Sequence, residues 1–375
     1  MKIGVPKEIV AEENRVALVP EAIGPLLKAG MQILVERGAG EGAFIPDRAY
    51  EAVGATIVSD PAGLFPEANV VLKVQTPVVN PALGKHEVEL MREGTVLISF
   101  LQPLSDPDLV KRLVERKITS FSMDYIPRIA RAQRMDALSS QSTVAGYKAV
   151  LTAASSLGKF FPMLVTAAGT VPPAKVLVLG AGVAGLQAIA TARRLGAIVQ
   201  AYDVRPAVKE QVESLGAVFL ELDLAGEHTE DESGYARELS EVFQQREKAL
   251  LHQHVKEADI VITTALIPGK RAPVLITGDM VQDMKAGSVI VDLAAEMGGN
   301  CEVTEPGSVV TRHGVTIHGP LNVPSTMPVH ASQMYSKNIS SFLLQLVRNG
   351  NLELDFNDPV TNDTCITHEG RVRHP

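Results

Sequence analysis

The chain has 375 residues, of which 46% are hydrophobic and 21% charged; this composition is typical of globular domains and excludes a disordered chain. Its length predicts about two or three domains. The 35 basic and 43 acidic residues give a formal net charge of −8, which disfavours nucleic acid and anionic membranes as partners. Two cysteines, Cys301 and Cys365, exclude a disulfide scaffold and a cysteine-based zinc site, and they favour a reducing, cytoplasmic compartment.

The N-terminal twenty residues carry charges at positions where a signal peptide has an unbroken apolar core. A membrane-spanning helix needs about 18 or more apolar residues without charges or helix breakers. The best candidate stretch, residues 160–178, is interrupted by prolines, by Gly169 and by Lys175. We therefore expect a soluble chain, which could still dock on a membrane protein.

The first half of the chain alternates short apolar runs with helical patterns, which predicts a parallel sheet covered by helices. Predicted strands lie at residues 3–5, 33–36, 56–58, 70–74 and 96–100, and predicted helices at 20–29, 47–53 and 108–115. Residues 120–137 are polar and predict an irregular segment. Residues 138–157 are rich in serine and alanine and predict one long helix between two lobes.

The second half of the chain repeats this alternation. Predicted strands lie at residues 174–179, 198–202, 218–220, 260–263, 289–292 and 316–318. A helix is predicted at 329–347, followed by a loosely ordered tail. If that helix returns to the first lobe, one domain comprises residues 1–137 plus about 328–375 and the other residues 138–327. The predicted fold class is α/β, with two Rossmann-like, doubly wound parallel-sheet domains joined by long helices and a cleft between them.

Residues 221–240 contain seven acidic residues against one base, Arg237, and are broken by glycine and serine. This composition is compatible with a solvated surface loop. A long polar loop inside an α/β domain is also typical of a mobile lid, with Tyr235 near its tip.

The strongest motif is GAGVAG at residues 180–185, which follows a predicted strand and opens an apolar helix. This is the context that a dinucleotide-binding turn requires. Gly180 permits the tight turn, Gly182 lets a pyrophosphate approach the backbone, and Gly185 lets helix and strand pack closely. The helix N-terminus then offers N–H groups to the phosphates. The alternative is a packed glycine turn that binds no ligand.

An acidic residue, Asp203, ends the next predicted strand 18 residues after Gly185. A carboxylate at this spacing accepts hydrogen bonds from both ribose hydroxyls and repels a 2′-phosphate, so we expect a preference for NAD(H) over NADP(H). Arg205 can soften that preference. A second glycine run at residues 38–42 has Glu41 where a phosphate would approach, and it predicts a flexible turn.

Several segments carry a resemblance to a known family. They are the glycine motif, GVPKE at residues 4–8, NRVA at 14–17, ITTALIPGK at 262–270 and VDLAAEMGGNC at 291–301. Together they resemble the superfamily of alanine dehydrogenases and nicotinamide nucleotide transhydrogenases over essentially the whole chain.

Two departures disfavour the alanine dehydrogenase branch. The dehydrogenases resemble this chain at Arg15 and Lys73, which there hold the substrate, but they use a histidine acid/base in the segment where this chain has Gln102. A glutamine cannot exchange protons near neutral pH. Glu296 also stands where the dehydrogenases carry an aspartate. Arg15 and Lys73 are then remnants, or they hold a structural carboxylate such as that of Glu8.

The transhydrogenase branch is similar to this chain at RIARAQRMD, residues 128–136, and at SSQS, residues 139–142. The resemblance implies that Arg128, Gln133, Asp136 and Ser139 surround the nicotinamide end of NAD(H) as catalytic-site residues. Hydride transfer between two nicotinamides requires the rings to be held together and requires no protein acid or base. The alternatives are that Asp136 only caps the following helix and that Arg128 pairs with Asp124 or Asp136.

The remaining candidate residues follow from the glycine motif and from the resemblance. The candidate cofactor-binding residues are Gly180, Gly182, Val183, Ala184, Gly185, Asp203, Val204, Arg205, Tyr235, Thr264, Ala265, Leu266 and Asn322. Tyr235 belongs to a segment, residues 231–235, that resembles the family's mobile loop. No metal site is expected, because His252, His254, His318 and His330 lack metal-ligand spacing.

The resemblance implies an NAD(H)-binding subunit of a proton-translocating transhydrogenase. It also implies a homodimer, NADP(H) bound on a partner subunit, membrane-spanning partner subunits that carry the segments missing from these residues, and no nucleic acid. Two other functions stay open. One is an amino-acid oxidoreductase of the alanine dehydrogenase type, and the other is a non-catalytic NAD(H)-sensing subunit.

Overall fold

The structure, a computed structural model, describes residues 1–222, 241–267, 269–348 and 350–374, with the backbone alone at residues 241–243. The chain divides into two compact units. The first comprises Met1–Gln141 and Pro324–Pro375, and the second comprises Ser142–Val323. A long helix, Ala137–Ser156, begins in the first unit and ends in the second.

The first unit contains a mixed sheet that has eight strands in the described residues of the chain. In spatial order they are Arg371–Val372, Cys365–His368, Thr119–Ser122, Val96–Ser99, Val70–Leu72, Lys2–Val5, Gln32–Glu36 and Thr56–Val58. The six strands from Thr119–Ser122 onward are parallel, whereas Cys365–His368 runs antiparallel to its neighbours on both sides. Parallel strands need helical crossovers, and these cover the sheet.

Helices pack on both faces of this sheet. The α-helices are Pro20–Lys28, Asp47–Glu51, Pro61–Glu67, Glu87–Leu90, Pro107–Glu115, Pro328–Gln345 and Pro359–Thr364; the 3-10 helices are Glu41–Ala43, Met123–Tyr125, Ala130–Met135 and, at the junction, Val323–Thr326. Two small hairpins join Val79–Asn80 to Lys85–His86 and Val347–Arg348 to Asn351–Leu352. Side chains of strand Gln32–Glu36 alternate between two buried clusters, one containing Phe342 and the other Leu64. This alternation is that of a sheet buried on both faces.

Residues 350–374 are ordered and include helix Pro359–Thr364 and strands Cys365–His368 and Arg371–Val372, so the prediction of a loose tail is wrong. Strand Cys365–His368 pairs with Thr119–Ser122, and the Ser120 and Thr367 hydroxyls lie 2.7 Å apart in the interior. The apolar run of this strand, Cys365 and Ile366, is too short to produce a period-two signal. The prediction of an irregular segment at 120–137 is also wrong, because the segment contains most of a buried strand and two 3-10 helices. This strand is polar, so it too lacks the apolar run that would have indicated it.

The second unit contains a seven-stranded sheet in its described residues. In spatial order the strands are Val218–Phe219, Ile198–Tyr202, Lys175–Leu179, Ile260–Thr263, Val289–Asp292, Val315–His318 and Val309–Arg312. All pair in parallel except the last. The strand order reverses beside Lys175–Leu179, which is the point where Rossmann folds bind their ligands.

The helices of the second unit lie on both faces of its sheet. They are Val183–Arg194, Lys209–Ser214, Glu241–Glu257 and Gly278–Asp283, with 3-10 turns at Pro206–Val208 and Ala295–Met297 and a separate hairpin of Leu164–Thr166 with Gly169–Val171. Val176 and Val178 pack with Ile189 on one face, whereas Leu177 and Leu179 pack with Leu251 on the other. The prediction of two Rossmann-like α/β sheets is confirmed.

The glycine run at residues 38–42 is a tightly packed turn, so the prediction of a flexible turn is wrong. A Cβ atom at Gly40 would lie 2.7 Å from the Ile45 carbonyl oxygen, and one at Gly42 would lie 2.7 Å from the Asn14 carbonyl oxygen. These glycines allow backbone segments to approach closely. Among the helices described, none is both long and apolar enough to cross a membrane.

Candidate functional site

The glycine turn, residues 180–185, follows strand Lys175–Leu179 and leads into helix Val183–Arg194. Gly180 has φ +97°, and a Cβ atom there would lie 2.6 Å from Thr264 Oγ1. A Cβ atom at Gly185 would overlap the Gly180 carbonyl oxygen, whereas one at Gly182 would meet no atom within 4 Å. Gly180 and Gly185 are therefore required by packing, and Gly182 faces open space.

The helix that starts at Val183 has an open N-terminus. Its N-cap is Gly182, no side chain in the described residues caps it, and Leu186 N donates to the Gly182 carbonyl oxygen at 2.8 Å. The N–H groups of the first turn thus lack intrahelical acceptors, and the helix dipole adds positive potential there. These residues fit a dinucleotide pyrophosphate, which supplies negative oxygens to such an end.

A second glycine, Gly146, supports this turn from helix Ala137–Ser156. A Cβ atom at Gly146 would overlap the carbonyl oxygen of Ala184, so the long helix packs directly on the backbone of the first turn. Sequence reasoning missed this residue. The only available signal was the general abundance of small residues in the helix.

The segment Thr264–Leu266 lies at the adjoining strand end. Thr264 Oγ1 donates to the Gly180 carbonyl oxygen at 3.0 Å. The buried Asn300 side chain accepts from Ala265 N at 3.0 Å and donates to the Ala265 and Pro273 carbonyl oxygens at 2.9 and 2.8 Å. Asn300, which no spacing argument identified as a support, thereby fixes the backbone of a candidate site residue.

Asp292, at the end of the next strand, holds the segment that directly follows Asn300. Its fully buried carboxylate accepts from Thr263 Oγ1 at 2.8 Å, Cys301 N at 3.0 Å and Thr304 Oγ1 at 2.8 Å. Several hydrogen bonds compensate the cost of burying the carboxylate.

Asp203 is positioned at the end of strand Ile198–Tyr202, beside the glycine turn. Asp203 Oδ2 accepts from Ala181 N at 2.7 Å and from Arg205 Nη2 at 2.8 Å, and Oδ1 accepts from Arg205 N and Nε at 2.9 and 2.8 Å. A carboxylate has about four acceptor sites. A ribose hydroxyl can therefore reach Asp203 only by displacing the Arg205 side chain.

The other candidate residues of the second unit are less constrained. Leu266 is 46% exposed, and Val204 lies beside the buried cluster around Leu251. Asn322 has φ +44°, and its N–H donates to the carboxylate of Glu296. Tyr235 and the segment 231–235 lie outside the described residues.

The arginine loop, defined as residues 128–136, belongs to the first unit. Arg128 and Gln133 are exposed, whereas Ala132 and Met135 are buried in the cluster of the first sheet. Asn338, on helix Pro328–Gln345, donates from Nδ2 to the Arg134 carbonyl oxygen at 2.9 Å. Buried residues anchor the loop while Arg128 and Gln133 point outward.

Asp136 caps the long helix, and helix capping is the alternative role that the sequence analysis gives for this residue. Its Oδ1 accepts from Ser139 N at 2.9 Å and its Oδ2 from Ser139 Oγ at 2.6 Å, and the helix begins at Ala137. An N-cap aspartate accepts the N–H three residues later in this way. The structure therefore brings together two of the four catalytic-site candidates, Asp136 and Ser139.

The two cations that resemble substrate-holding residues are buried against carboxylates of the chain. Lys73 is 0% exposed, and its Nζ lies 3.0 Å from both Glu8 Oε2 and Glu87 Oε1. Arg15 Nη2 lies 2.6 Å from Glu13 Oε2, and Arg15 is 4% exposed. Glu8 holds Lys73, as the structural-carboxylate alternative predicts. Burial raises the pKa of Glu8 despite the nearby ammonium group.

The segment that would carry a catalytic histidine presents Gln102 instead. Gln102 is exposed, with φ +44°, and its N–H donates to Asp124 Oδ2 at 3.0 Å. Within the described residues, no group of three histidine, cysteine, aspartate or glutamate side chains could hold a metal ion.

The contrast between Gly182 and Gly185 gives a matched pair of variants. Gly185→Ala should destabilise the second unit by about 3 kcal/mol, because its methyl group meets the Gly180 carbonyl oxygen. Gly182→Ala should leave the unfolding transition unchanged and weaken NADH binding by about tenfold or more, since its methyl group enters the open space. Urea unfolding and NADH fluorescence titration check both. Equal NADH affinity of Gly182→Ala and the unsubstituted chain would exclude a phosphate at this turn.

Removing the buried ammonium group should have a large, pH-dependent effect. Lys73→Met leaves two buried carboxylates unpaired and should cost about 3–5 kcal/mol of unfolding free energy near neutral pH. Lys73 lowers the pKa of Glu8, so its loss raises that pKa further above the unfolded value. Stability from a raised carboxyl pKa is present at low pH and lost as pH rises through the folded pKa.

The deficit of Lys73→Met should therefore shrink from about pH 8 to about pH 5. Urea unfolding over a pH series measures it. Lys111→Met is the control, because Lys111 and Asp108 form an exposed pair, and it should change little at any pH. A deficit that grows toward low pH would contradict the buried-carboxylate explanation.

Comparison with known proteins agrees with this geometry. The family model "Alanine dehydrogenase/PNT, N-terminal domain" matches residues 4–145, and "Alanine dehydrogenase/PNT, C-terminal domain" matches residues 149–375. A relative from Rhodospirillum rubrum, named as a portion of NAD(P) transhydrogenase subunit alpha, is 50% identical over 100% of this chain and 98% of its own length.

Solved structures give the same result. A transhydrogenase from Sinorhizobium meliloti is 43% identical, with a TM-score of 0.86 over 100% of this chain and 99% of that one. An L-alanine dehydrogenase is 28% identical, with a TM-score of 0.82 over 100% and 97%. The resemblance inferred from the sequence is confirmed, and so is the prediction of an oxidoreductase of the transhydrogenase type. The chain belongs to the alanine dehydrogenase/PNT family.

Proposed function

We propose that the chain is the NAD(H)-binding component of a proton-translocating NAD(P) transhydrogenase. In this proposal a hydride passes directly between NAD(H) bound here and NADP(H) bound on a partner subunit. The observation that carries the proposal is a contrast in the first unit. Arg128 and Gln133 are exposed on an anchored loop, whereas Lys73 and Arg15 are buried against internal carboxylates. Polar groups that can orient a nicotinamide are exposed to solvent, whereas the cations that would hold an amino acid are buried in ion pairs.

The second unit supplies the phosphate and adenosine contacts in this proposal. The N–H groups at Val183 and Ala184 donate to the pyrophosphate, and the open space at Gly182 admits it. Asp203 accepts the ribose hydroxyls after Arg205 moves aside. The set is completed by residues near the same strand ends, namely Val204, Thr264, Ala265, Leu266 and Asn322.

The arginine loop supplies the nicotinamide contacts. Arg128 donates to the carboxamide oxygen, and Gln133 offers both a donor and an acceptor, so it can contact two nucleotides at once. Asp136 and Ser139 hold the start of the long helix and orient the carboxamide and its ribose. The nicotinamide itself supplies the hydride chemistry. Because no proton is transferred in that step, the lack of an acid/base group on the Gln102 side chain is no obstacle.

The proposal also covers the assembly to which the chain belongs. The chain forms a homodimer, a partner subunit carries NADP(H), and membrane-spanning subunits couple hydride transfer to proton movement. The chain itself is attached peripherally to the inner membrane. Support comes from the Rhodospirillum rubrum relative, whose name describes a portion of a subunit alpha and which the chain matches over nearly its whole length.

The deciding experiment is reconstitution. The purified chain is mixed with the NADP(H)-binding partner subunit, NADPH and an oxidised NAD analogue, and reduction of the analogue is followed by absorbance. The expected result is rapid transfer in the mixture and little turnover by either protein alone. NAD⁺ with alanine is the parallel control. Alanine oxidation by the chain alone, with no transfer in the mixture, would replace the proposal by an amino-acid dehydrogenase.

Gln133→Ala separates hydride transfer from binding. Since Gln133 is exposed and its neighbours Ala132 and Met135 provide the anchoring contacts, the variant should keep the fold and NADH affinity within several-fold. Transfer in the reconstituted mixture should fall by about a hundredfold, as expected when reacting groups lose their alignment. Single-turnover mixing and NADH titration measure the two quantities. A parallel loss of both would remove the two-nucleotide role of Gln133.

Arg205→Ala tests the nucleotide preference. Removing the guanidinium frees acceptor sites on Asp203 and leaves its charge uncompensated, so NADPH should bind more weakly relative to NADH, by about tenfold. Asp203→Ala should shift the ratio in the opposite direction. Competitive titration of both nucleotides checks the pair, with Arg312→Ala as control because Arg312 forms an exposed pair with Glu305 in the same unit. An unchanged ratio in both test variants would exclude the Asp203 contact with the ribose.

A further inference from the structure

The carboxylate of Asp358 joins three segments of the first unit. Its Oδ2 accepts from Arg131 Nη1 at 2.8 Å and from Gln345 Nε2 at 2.8 Å. Its Oδ1 accepts from Arg131 Nη2 at 2.5 Å and from Val360 N at 2.8 Å. The arginine loop, the end of helix Pro328–Gln345 and the start of helix Pro359–Thr364 thus meet at one side chain.

The Arg131–Asp358 pair has the geometry of a specific contact. Two parallel hydrogen bonds join the guanidinium to the carboxylate, which fixes orientation as well as distance. The Asp358 side chain is 18% exposed and that of Arg131 is 48% exposed, so the pair is partly shielded from water. The Arg131 hydrogen bond also lowers the pKa of Asp358. The carboxylate is therefore ionised throughout the neutral range.

Arg131 stands between Arg128 and Gln133 in the loop. On the inner side of the loop, Ala132 and Met135 are buried. The described contacts that hold the loop to later segments of the chain include the Arg131–Asp358 pair and the Asn338–Arg134 hydrogen bond. The pair is placed where it can set the direction in which Arg128 and Gln133 point.

We propose that Asp358 is a positioning residue for hydride transfer, because its paired contact with Arg131 holds the arginine loop in the shape that aligns Gln133 and Arg128. This inference rests on the proposed function of the loop. Asp358 touches no reacting atom in this role. It acts through Arg131, and small displacements of an aligned group are enough to slow a reaction that depends on near-attack geometry.

The test compares Asp358→Asn and Arg131→Met with Glu353→Gln. Asn retains the size of the side chain and loses its charge. Glu353 pairs with Arg348 at 3.3 Å in the same region of the chain, outside the loop, and so provides a matched surface pair. Three quantities are measured for each variant: hydrogen exchange of residues 128–136 in the chain alone, the NADH dissociation constant, and the rate of hydride transfer in the reconstituted mixture.

Both test variants should exchange faster at residues 128–136 and transfer hydride about tenfold more slowly, with NADH affinity within about twofold. Glu353→Gln should match the unsubstituted chain in all three. The double variant Asp358→Asn with Arg131→Met should be no slower than the slower single variant, because the two residues act through one contact. Arg131→Lys keeps the positive charge but cannot form the two parallel hydrogen bonds. Its exchange and transfer rates should lie between those of Arg131→Met and those of the unsubstituted chain.

Two results would overturn the inference. In one, Asp358→Asn exchanges faster and transfers hydride more slowly while Arg131→Met retains normal exchange and transfer, which assigns Asp358 only to the cap of helix Pro359–Thr364. In the other, both variants transfer at the normal rate. If the unsubstituted mixture transfers no hydride, the proposed function fails. Hydrogen exchange at residues 128–136 still decides whether Asp358 holds the loop.

Discussion

The buried ammonium group of Lys73 is the interaction on which the first unit depends. It is fully shielded from water and lies 3.0 Å from the carboxylates of Glu8 and Glu87, while Tyr335 donates its hydroxyl to the Lys73 carbonyl oxygen at 2.7 Å. An unpaired buried charge costs several kcal/mol, so these segments must be in place together. Tyr335 belongs to helix Pro328–Gln345, the same helix that holds the arginine loop through Asn338. The residue that carries the buried charge is therefore also bonded, through its backbone, to the helix on which the loop rests.

The two units achieve their proposed roles by opposite means. The glycine turn works through missing side chains: Gly180 and Gly185 let strand and helix backbones meet, and Gly182 leaves room for a phosphate. The arginine loop works through side chains that are anchored on one side and exposed on the other. A backbone site is insensitive to side-chain rotation and suits the invariant portion of a dinucleotide, whereas a side-chain site can supply donors and acceptors in a chosen direction.

Sequence reasoning succeeded where the signal is local. The glycine turn is read from spacing alone, and the apolar runs of the buried strands predict both sheets, because the physics of each is contained in a few consecutive residues. It failed where partners are distant in sequence. Arg131 and Asp358 are 227 positions apart, and nothing in either neighbourhood indicates the other. The Asp203 prediction shows an intermediate case: its place beside the turn follows from spacing, but the capture of its carboxylate by Arg205 depends on a side-chain conformation that spacing does not encode.

The pairing of strand Cys365–His368 with Thr119–Ser122 has a consequence for how the protein is made. Ser120 and Thr367, which touch in the sheet, are 247 positions apart, with the entire second unit between them. During synthesis the second unit is complete on emergence and can fold at once, while the first sheet still has an open edge at Thr119–Ser122. Phe121 of that edge strand packs against the ring of Phe342 in the folded unit. Until the late segment is synthesised, this contact is missing and the edge must stay protected. We therefore expect the nascent chain to be prone to aggregation in the interval before the late segment is synthesised.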